Sequence, residues 1–279
     1  MMQKLNVFQS LWAMERRHTD GFERSLDENI AMIAQAGFEG ISAHYTSRKD
    51  VGILNQTIER TALKIEGVCF PKTVEDLILP LELAVEYPVS HINLQPDIRL
   101  RRVEDCLPLI DGWRRLADDA GIPVFIETHR DRMTTDLFFT LDLLDQRPDL
   151  PLLADLSHFL VGREFSFPVE EENHALIRRV LNNARSFHGR IASREQVQVE
   201  LSFPHHRPWV DLFLGWWDEG FRIWRSRAKD DAELVFTCEL GPKPYAITGR
   251  DGNDLSDRWS EALYLKDMIH KLWANTAPF

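Results

Sequence analysis

Eight short apolar runs, separated by stretches of helical periodicity, constrain this chain more than any other feature of it. The runs are KLNVFQS, FEGISAH, LKIEGVCF, HINLQ, PVFIETH, PLLADLS, RSFHGRIA and AELVFTCEL. Between them lie amphipathic patterns such as SLDENIAMIAQAG, VEDCLPLIDGWRRLADDAG and TTDLFFTLDLLDQRP. Gly37 and Gly121 stand where a helix would end before a new strand begins, the position that favours a residue without a Cβ. The segment Leu255 to Asn275 predicts a closing helix with Trp259, Leu263 and Leu272 on one face. Strand–helix units of roughly thirty residues, repeated eight times, have the count and length of a (β/α)8 TIM barrel. No low-complexity linker interrupts the series, so a single domain over residues 1–279 is expected. A doubly wound open sheet is the alternative, but the glycine-rich phosphate fingerprint it would carry after the first strand is missing.

Charge and composition narrow the function. Lys and Arg number 33 against 44 acids, a formal net charge of −11, which argues against holding nucleic acid mainly through its phosphates. No run of about eighteen apolar residues predicts a membrane span. The opening MMQKLNVFQSLWAMERRH lacks the apolar core and cleavage site of a signal peptide. Cys69, Cys106 and Cys238 show no CxxC spacing and read as reduced, buried thiols. A cytoplasmic protein is expected.

The last four strands end in residues that are costly to bury. In a barrel, alternate residues point inward and the C-terminal strand ends carry the chemistry. The fifth strand, within VFIETHRDR, ends in Glu127 and His129 at one parity; the sixth ends in Asp155, with His158 just beyond. The seventh offers His188 and Arg190, and the eighth ends in Glu239. Three carboxylates brought to one rim repel one another unless they are protonated or share a cation. Glu127, Asp155, His188 and Glu239 together suit one divalent ion, Mn²⁺, Mg²⁺, Co²⁺ or Zn²⁺. Singly, each has a plainer reading as a strand-end acid or a hydrogen-bonded scaffold histidine.

An acid on strand five, Asp-x-x-His on strand six (DLSH), His on strand seven and Glu on strand eight resemble the xylose-isomerase-like TIM barrels, the sugar isomerase/epimerase superfamily. The ETHR and HGR elements are similar to those of sugar phosphate isomerase/epimerase family members. The resemblance covers almost the whole chain in strand order and implies the superfamily rather than a substrate. It implies that Glu127, Asp155, His188 and Glu239 bind one metal. It further implies that Glu127 and Glu239 act as base and acid, and that His158 holds a substrate oxygen. The chain departs from the epimerase pattern in offering both Arg190 and Arg194 as a substrate anchor, and in placing His129 at a position the pattern does not use. His129 faces the site by parity, as a substrate contact, a supporting group or a scaffold histidine.

Trp12, His44, Phe70 and Gln95, near earlier strand ends, are candidates for the pocket wall, and Trp12 is placed either to stack on a ligand or to cap the core. The long connection REQVQVELSFPHHRPW after strand seven is a lid candidate that contains His205 and His206, which read as solvated. The Trp-rich helix that follows reads as a packing face or a homodimer contact. Two enzyme functions fit, and two further alternatives are weaker. An isomerase or epimerase of a small sugar or hydroxycarbonyl compound would use α-proton abstraction and a metal-stabilised ene-diolate. A lyase, dehydratase or deglycosylating enzyme acting on an oxidised sugar would begin with the same step. An endonuclease-IV-like nuclease would need histidines where Phe70 and Gln95 stand and an Asp-x-His after His188, which the sequence lacks. A non-catalytic binding barrel is the remaining alternative. The absence of a phosphate-binding glycine loop favours an unphosphorylated substrate.

Overall fold

The apolar runs form a closed barrel of eight parallel strands in chain order, in a computed structural model that describes residues 3–277. The strands are β1 (Lys4–Ser10), β2 (Gly40–His44), β3 (Lys64–Cys69), β4 (His91–Leu94), β5 (Val124–Glu127), β6 (Leu152–Ala154), β7 (Ala184–Gly189) and β8 (Glu233–Cys238). Closure is made by β1 against β8, in register from Lys4 opposite Glu233 to Gln9 opposite Cys238. The outer layer comprises α1 (Leu26–Gln35), α2 (Arg48–Ile58), α3 (Ile78–Glu86), α4 (Val103–Ala120), α5 (Leu137–Gln146), α6 (Ser157–Gly162), α7 (Glu171–Leu181), α8 (Arg207–Arg227) and α9 (Arg258–Asn275). Parallel strands covered on both faces need near-continuous apolar sequence, which is why the runs were so legible.

Local chemistry sets the helix ends. Ser25 and Glu28 form a reciprocal capping box at the start of α1, and the Asp136 and Asp257 carboxylates accept from the first backbone N–H groups of α5 and α9. Gly37 and Gly121 take φ +75° and +68° at the ends of α1 and α4, the left-handed conformation expected of them. Gly40 has another reason to be glycine: a Cβ there would fall inside the Phe8 ring in the barrel interior.

Several expectations are corrected. The closing helix begins at Arg258, not Leu255: Asp257 is its N-cap, and Thr248 and Asp254 pair in a short antiparallel bridge just before it. Its deepest stripe is Ala262, Leu265 and Ile269; Trp259, Leu263 and Leu272 pack beside it, half-buried. The sixth unit carries two helices, α6 and α7, where one was expected. The connection after β7 is packed down rather than free: Val197 to Leu201 are all buried, and the Glu261 carboxylate accepts from the backbone N–H groups of Leu201 and Ser202. His205 is exposed there, whereas His206 is buried, with Nδ1 2.8 Å from the Glu200 carbonyl oxygen. The tryptophans of α8 turn toward the barrel, with Trp216, Trp217 and Trp224 buried. All three cysteines are buried free thiols. Among the described residues, no helix is long and apolar enough to cross a membrane.

Candidate metal and active site

Inward-facing positions from mid-strand to the C-terminal ends are polar on most strands. Glu66 on β3, Asn93 on β4, Glu127 on β5, Ser186 and His188 on β7 and Thr237 on β8 are all buried. A barrel interior is usually filled by branched apolar side chains, so this layer has a use other than packing.

Glu127, Asp155, His188 and Glu239 converge there, offering ligand atoms that all lie within 4.8 Å of one another. Glu127 ends β5 and Asp155 follows β6 directly; His188 lies near the end of β7, and Glu239 just past β8. Each is held from behind. Gln95 donates to Glu127 Oε2 at 2.7 Å, as does the Asn93 amide. Ser157 donates to Asp155 Oδ1 through its N–H at 3.0 Å and its hydroxyl at 2.6 Å. Arg190 donates to Glu239 Oε2 at 2.6 Å and to the Glu239 carbonyl at 3.1 Å. Glu127 Oε1 and Asp155 Oδ2 are buried without any hydrogen-bond partner. Orphaned carboxylate oxygens in a dry interior are costly, and a cation would satisfy them. The donor set therefore fits a hard or borderline divalent ion.

The electrostatics agree. Burial pushes the Glu127 carboxyl up to about 8, the nearby Glu239 and Asp155 charges adding to the shift and His188 opposing it. Asp155 is also raised, first by burial. Burial acts in the same sense on Glu239, but His188 and Arg190 outweigh it and hold that carboxyl at about 2. His188 is raised well above the usual imidazole range because Glu66, Glu239 and Glu127 outweigh its desolvation. With no added cation, the cluster balances its charge by keeping protons on Glu127 and His188. Both protons would leave for a divalent ion.

A cavity of about 490 Å³ adjoins the cluster, lined by Trp12, His44, Phe70, Gln95, His129 and Arg190 among others. All four early-strand wall candidates thus face it. Trp12 lies in a one-turn 3₁₀ segment after β1 and packs edge-on to Tyr245, with ring centroids 5.3 Å apart. Arg190 is buried beneath both rings, its guanidinium 4.7 Å from the Tyr245 centroid and 5.8 Å from that of Trp12. His129 lines the cavity and covers His158, with ring centroids 3.9 Å apart. His158 is only 1% exposed; its Nε2 lies 3.3 Å from Arg190 and 3.4 Å from Asp155 Oδ2. Burial keeps both imidazoles neutral, lowering His129 to about 4 and His158 well below its usual value. Of the two arginines, only Arg190 reaches the site. Arg194 is exposed, nearest to Glu164 and Glu195 on the surface, and does not line the cavity.

Sequence reasoning passed over Glu66, His91, Asn93 and Tyr245. The first three had a usable signal, since HINLQ alternates His91, Asn93 and Gln95 at inward parity and LKIEGVCF carries an acid amid apolar neighbours. Tyr245 comes from an irregular loop, where parity says nothing.

No protein-family model matches the sequence, and no curated protein does. Solved structures do match. A xylose isomerase-like TIM barrel protein from Mycobacterium smegmatis in complex with magnesium is similar over 98% of both chains, at 12% identity and a TM-score of 0.61. A D-psicose 3-epimerase solved in the presence of D-fructose is similar over 98% of this chain and 100% of its own, at 13% identity and a TM-score of 0.58. A sugar phosphate isomerase/epimerase from Parabacteroides distasonis is similar over 98% of this chain and 95% of its own, at 11% identity and a TM-score of 0.60. The fold of this chain is that of the xylose isomerase-like TIM barrels.

Proposed function

We propose that the chain is a divalent-metal-dependent isomerase or epimerase of a sugar or related hydroxycarbonyl compound, working by proton transfer at the carbon beside a carbonyl. The observation that carries this reading is the convergence of Glu127, Asp155, His188 and Glu239 beside a cavity at the barrel mouth, with buried carboxylate oxygens left without hydrogen-bond partners. When bound, the ion would act as a Lewis acid, polarising a substrate carbonyl and stabilising negative charge on its oxygen. The remaining work falls to the protein. Glu127 and Glu239 approach from strands three apart in the barrel, so one carboxylate removes the proton while the other returns it at a neighbouring carbon or at the opposite face. Arg190 orients Glu239 and holds it ionised. Trp12 and His129 form walls against which a ring or polyol chain would lie, with Arg190 and His158 behind them.

The sugar-processing neighbours support this substrate class. An enzyme that eliminates a group from an oxidised sugar would start with the same abstraction and differ only in product. The test is to load the protein with Mn²⁺ or Mg²⁺ and incubate it in D₂O with a panel of ketoses and 3-keto sugars. Deuterium at the carbon next to the carbonyl in recovered substrate or product supports the proposal. No turnover and no exchange with any member, in protein shown to hold metal, would count against it.

A further inference from the structure

The interior holds one carboxylate that the converging set does not include. Glu66, in the middle of β3, is completely buried. Its Oε1 lies 2.8 Å from His188 Nε2, while its Oε2 lies 2.9 Å from His91 Nε2 and accepts from the Thr237 hydroxyl at 3.1 Å. An ionised carboxylate in a barrel interior is expensive to keep, and an apolar side chain would fill the space more cheaply. Its partners therefore matter.

We infer that Glu66 is a positioning residue for the metal centre, fixing the His188 imidazole so that Nδ1, and not Nε2, meets the ion. The inference rests on the metal reading above. Nδ1 points to the converging carboxylates, 3.0 Å from Glu239 Oε2 and 3.7 Å from Glu127 Oε2, and Nε2 points away. A carboxylate only accepts, so the nitrogen facing Glu66 is the one that carries hydrogen, and the other keeps its lone pair for a metal. The second oxygen of Glu66 accepts from the Thr237 hydroxyl on β8 and lies against His91 Nε2 on β4, which limits how far the carboxylate can turn from His188. His91 is in turn stacked on Phe125, with ring centroids 4.8 Å apart. A carboxylate on the far nitrogen of a ligating histidine orients the ring and makes it a better donor, and losing such a partner lowers metal affinity roughly 10–100-fold.

The competing account is that Glu66 only satisfies His91 and Thr237. Two measurements separate the two. In wild-type protein loaded with Zn²⁺, long-range ¹⁵N–¹H correlations of His188 should show hydrogen on Nε2 and the metal on Nδ1; ligation through Nε2 overturns the inference, and this result needs no variant to fold. In Mn²⁺ titrations, Glu66→Gln, close in shape but uncharged, should weaken binding by roughly 10–100-fold. It should have no further effect in a His188→Ala background. Affinity within about two-fold of wild type, or an equal added loss without His188, overturns it. Wild-type protein that binds neither Mn²⁺ nor Zn²⁺ would instead bring down the metal reading and this inference together.

Discussion

Gln198 and Gly241 exchange two hydrogen bonds: Gln198 Nε2 donates to the Gly241 carbonyl at 3.0 Å, and the Gly241 N–H donates to Gln198 Oε1 at 2.8 Å. The pair ties the long connection after β7 to the loop after β8. Gly241 also lies under Trp12, whose ring occupies the place a Cβ would take. The connection thus braces a wall of the cavity, and Gln198→Ala should loosen that wall. It would leave two buried backbone groups unpaired, at a cost of about 1–3 kcal/mol each if water does not reach them. The expected outcome is a lower denaturation midpoint together with a raised KM for substrate. An unchanged midpoint would show that the connection opens freely.

That brace also shows where the sequence stops being informative. The barrel was legible because parallel strands impose apolar runs, and the rim residues because inward parity is a local property. Glu127, Asp155, His188 and Glu239 could each be placed from their own strand. Loops have no such periodicity, so the length of the 194–209 connection suggested a lid when its buried valines make it a brace. Arg190 and Arg194 show the same boundary. Arg190 continues the β7 alternation into the interior, whereas Arg194 lies past the end of the pattern, and only tertiary packing sends it to the surface. The pairing of Glu66 with His188 joins β3 to β7, and no single-strand reading could supply it.

Metal binding should release protons. Without metal, Glu127 holds its proton below about pH 8, and the surrounding carboxylates raise His188 well above the usual imidazole range. The ion needs the carboxylate and a bare imidazole nitrogen, so both protons must leave. Affinity for Mn²⁺ should therefore rise with pH, and the rise should become shallower once Glu127 ionises on its own above about 8 and only the His188 proton remains to be displaced. Calorimetric titrations in buffers of different ionisation enthalpy report the released protons directly. Affinity independent of pH between 6 and about 8 would contradict this charge balance.

Ligand removal should separate binding from folding. Asp155→Asn and His188→Ala should each reduce bound metal, measured by elemental analysis after gel filtration. The fold should survive Asp155→Asn, which relieves carboxylate crowding, whereas His188→Ala should fold with a lower denaturation midpoint, because Glu66 and Glu239 lose a buried partner. Full occupancy in both variants would place the ion elsewhere.

The stacked histidines should divide their effects between binding and turnover. His129 lines the cavity and His158 lies beneath it, near Arg190 and Asp155. His129→Ala should raise KM with metal retained, whereas His158→Ala should lower kcat with metal retained. Kinetics unaltered by His129→Ala would return that residue to a scaffold role.

The decisive prediction concerns the two glutamates. Glu127→Gln and Glu239→Gln preserve shape and remove the basic oxygen, so each should reduce turnover by roughly 10²–10⁴-fold, the contribution general acid–base groups make. Both residues are also proposed ligands, so metal occupancy must be measured beside the rates, and the comparison made at saturating Mn²⁺. The two variants should then differ in what they still do in D₂O. The glutamate that abstracts the proton is needed for any exchange, because without it no carbanion forms. The one that returns a proton is not needed for exchange, since the abstracting carboxylic acid can trade its proton with solvent and give it back to the carbon it came from. One variant should therefore retain deuterium uptake into recovered substrate while net conversion stops, and the other should lose both. The arginine beside Glu239 and the burial that keeps Glu127 protonated make the metal-free site asymmetric, consistent with this division of labour. Loss of net conversion in both variants, with exchange fully retained in both, would show that neither glutamate is the base.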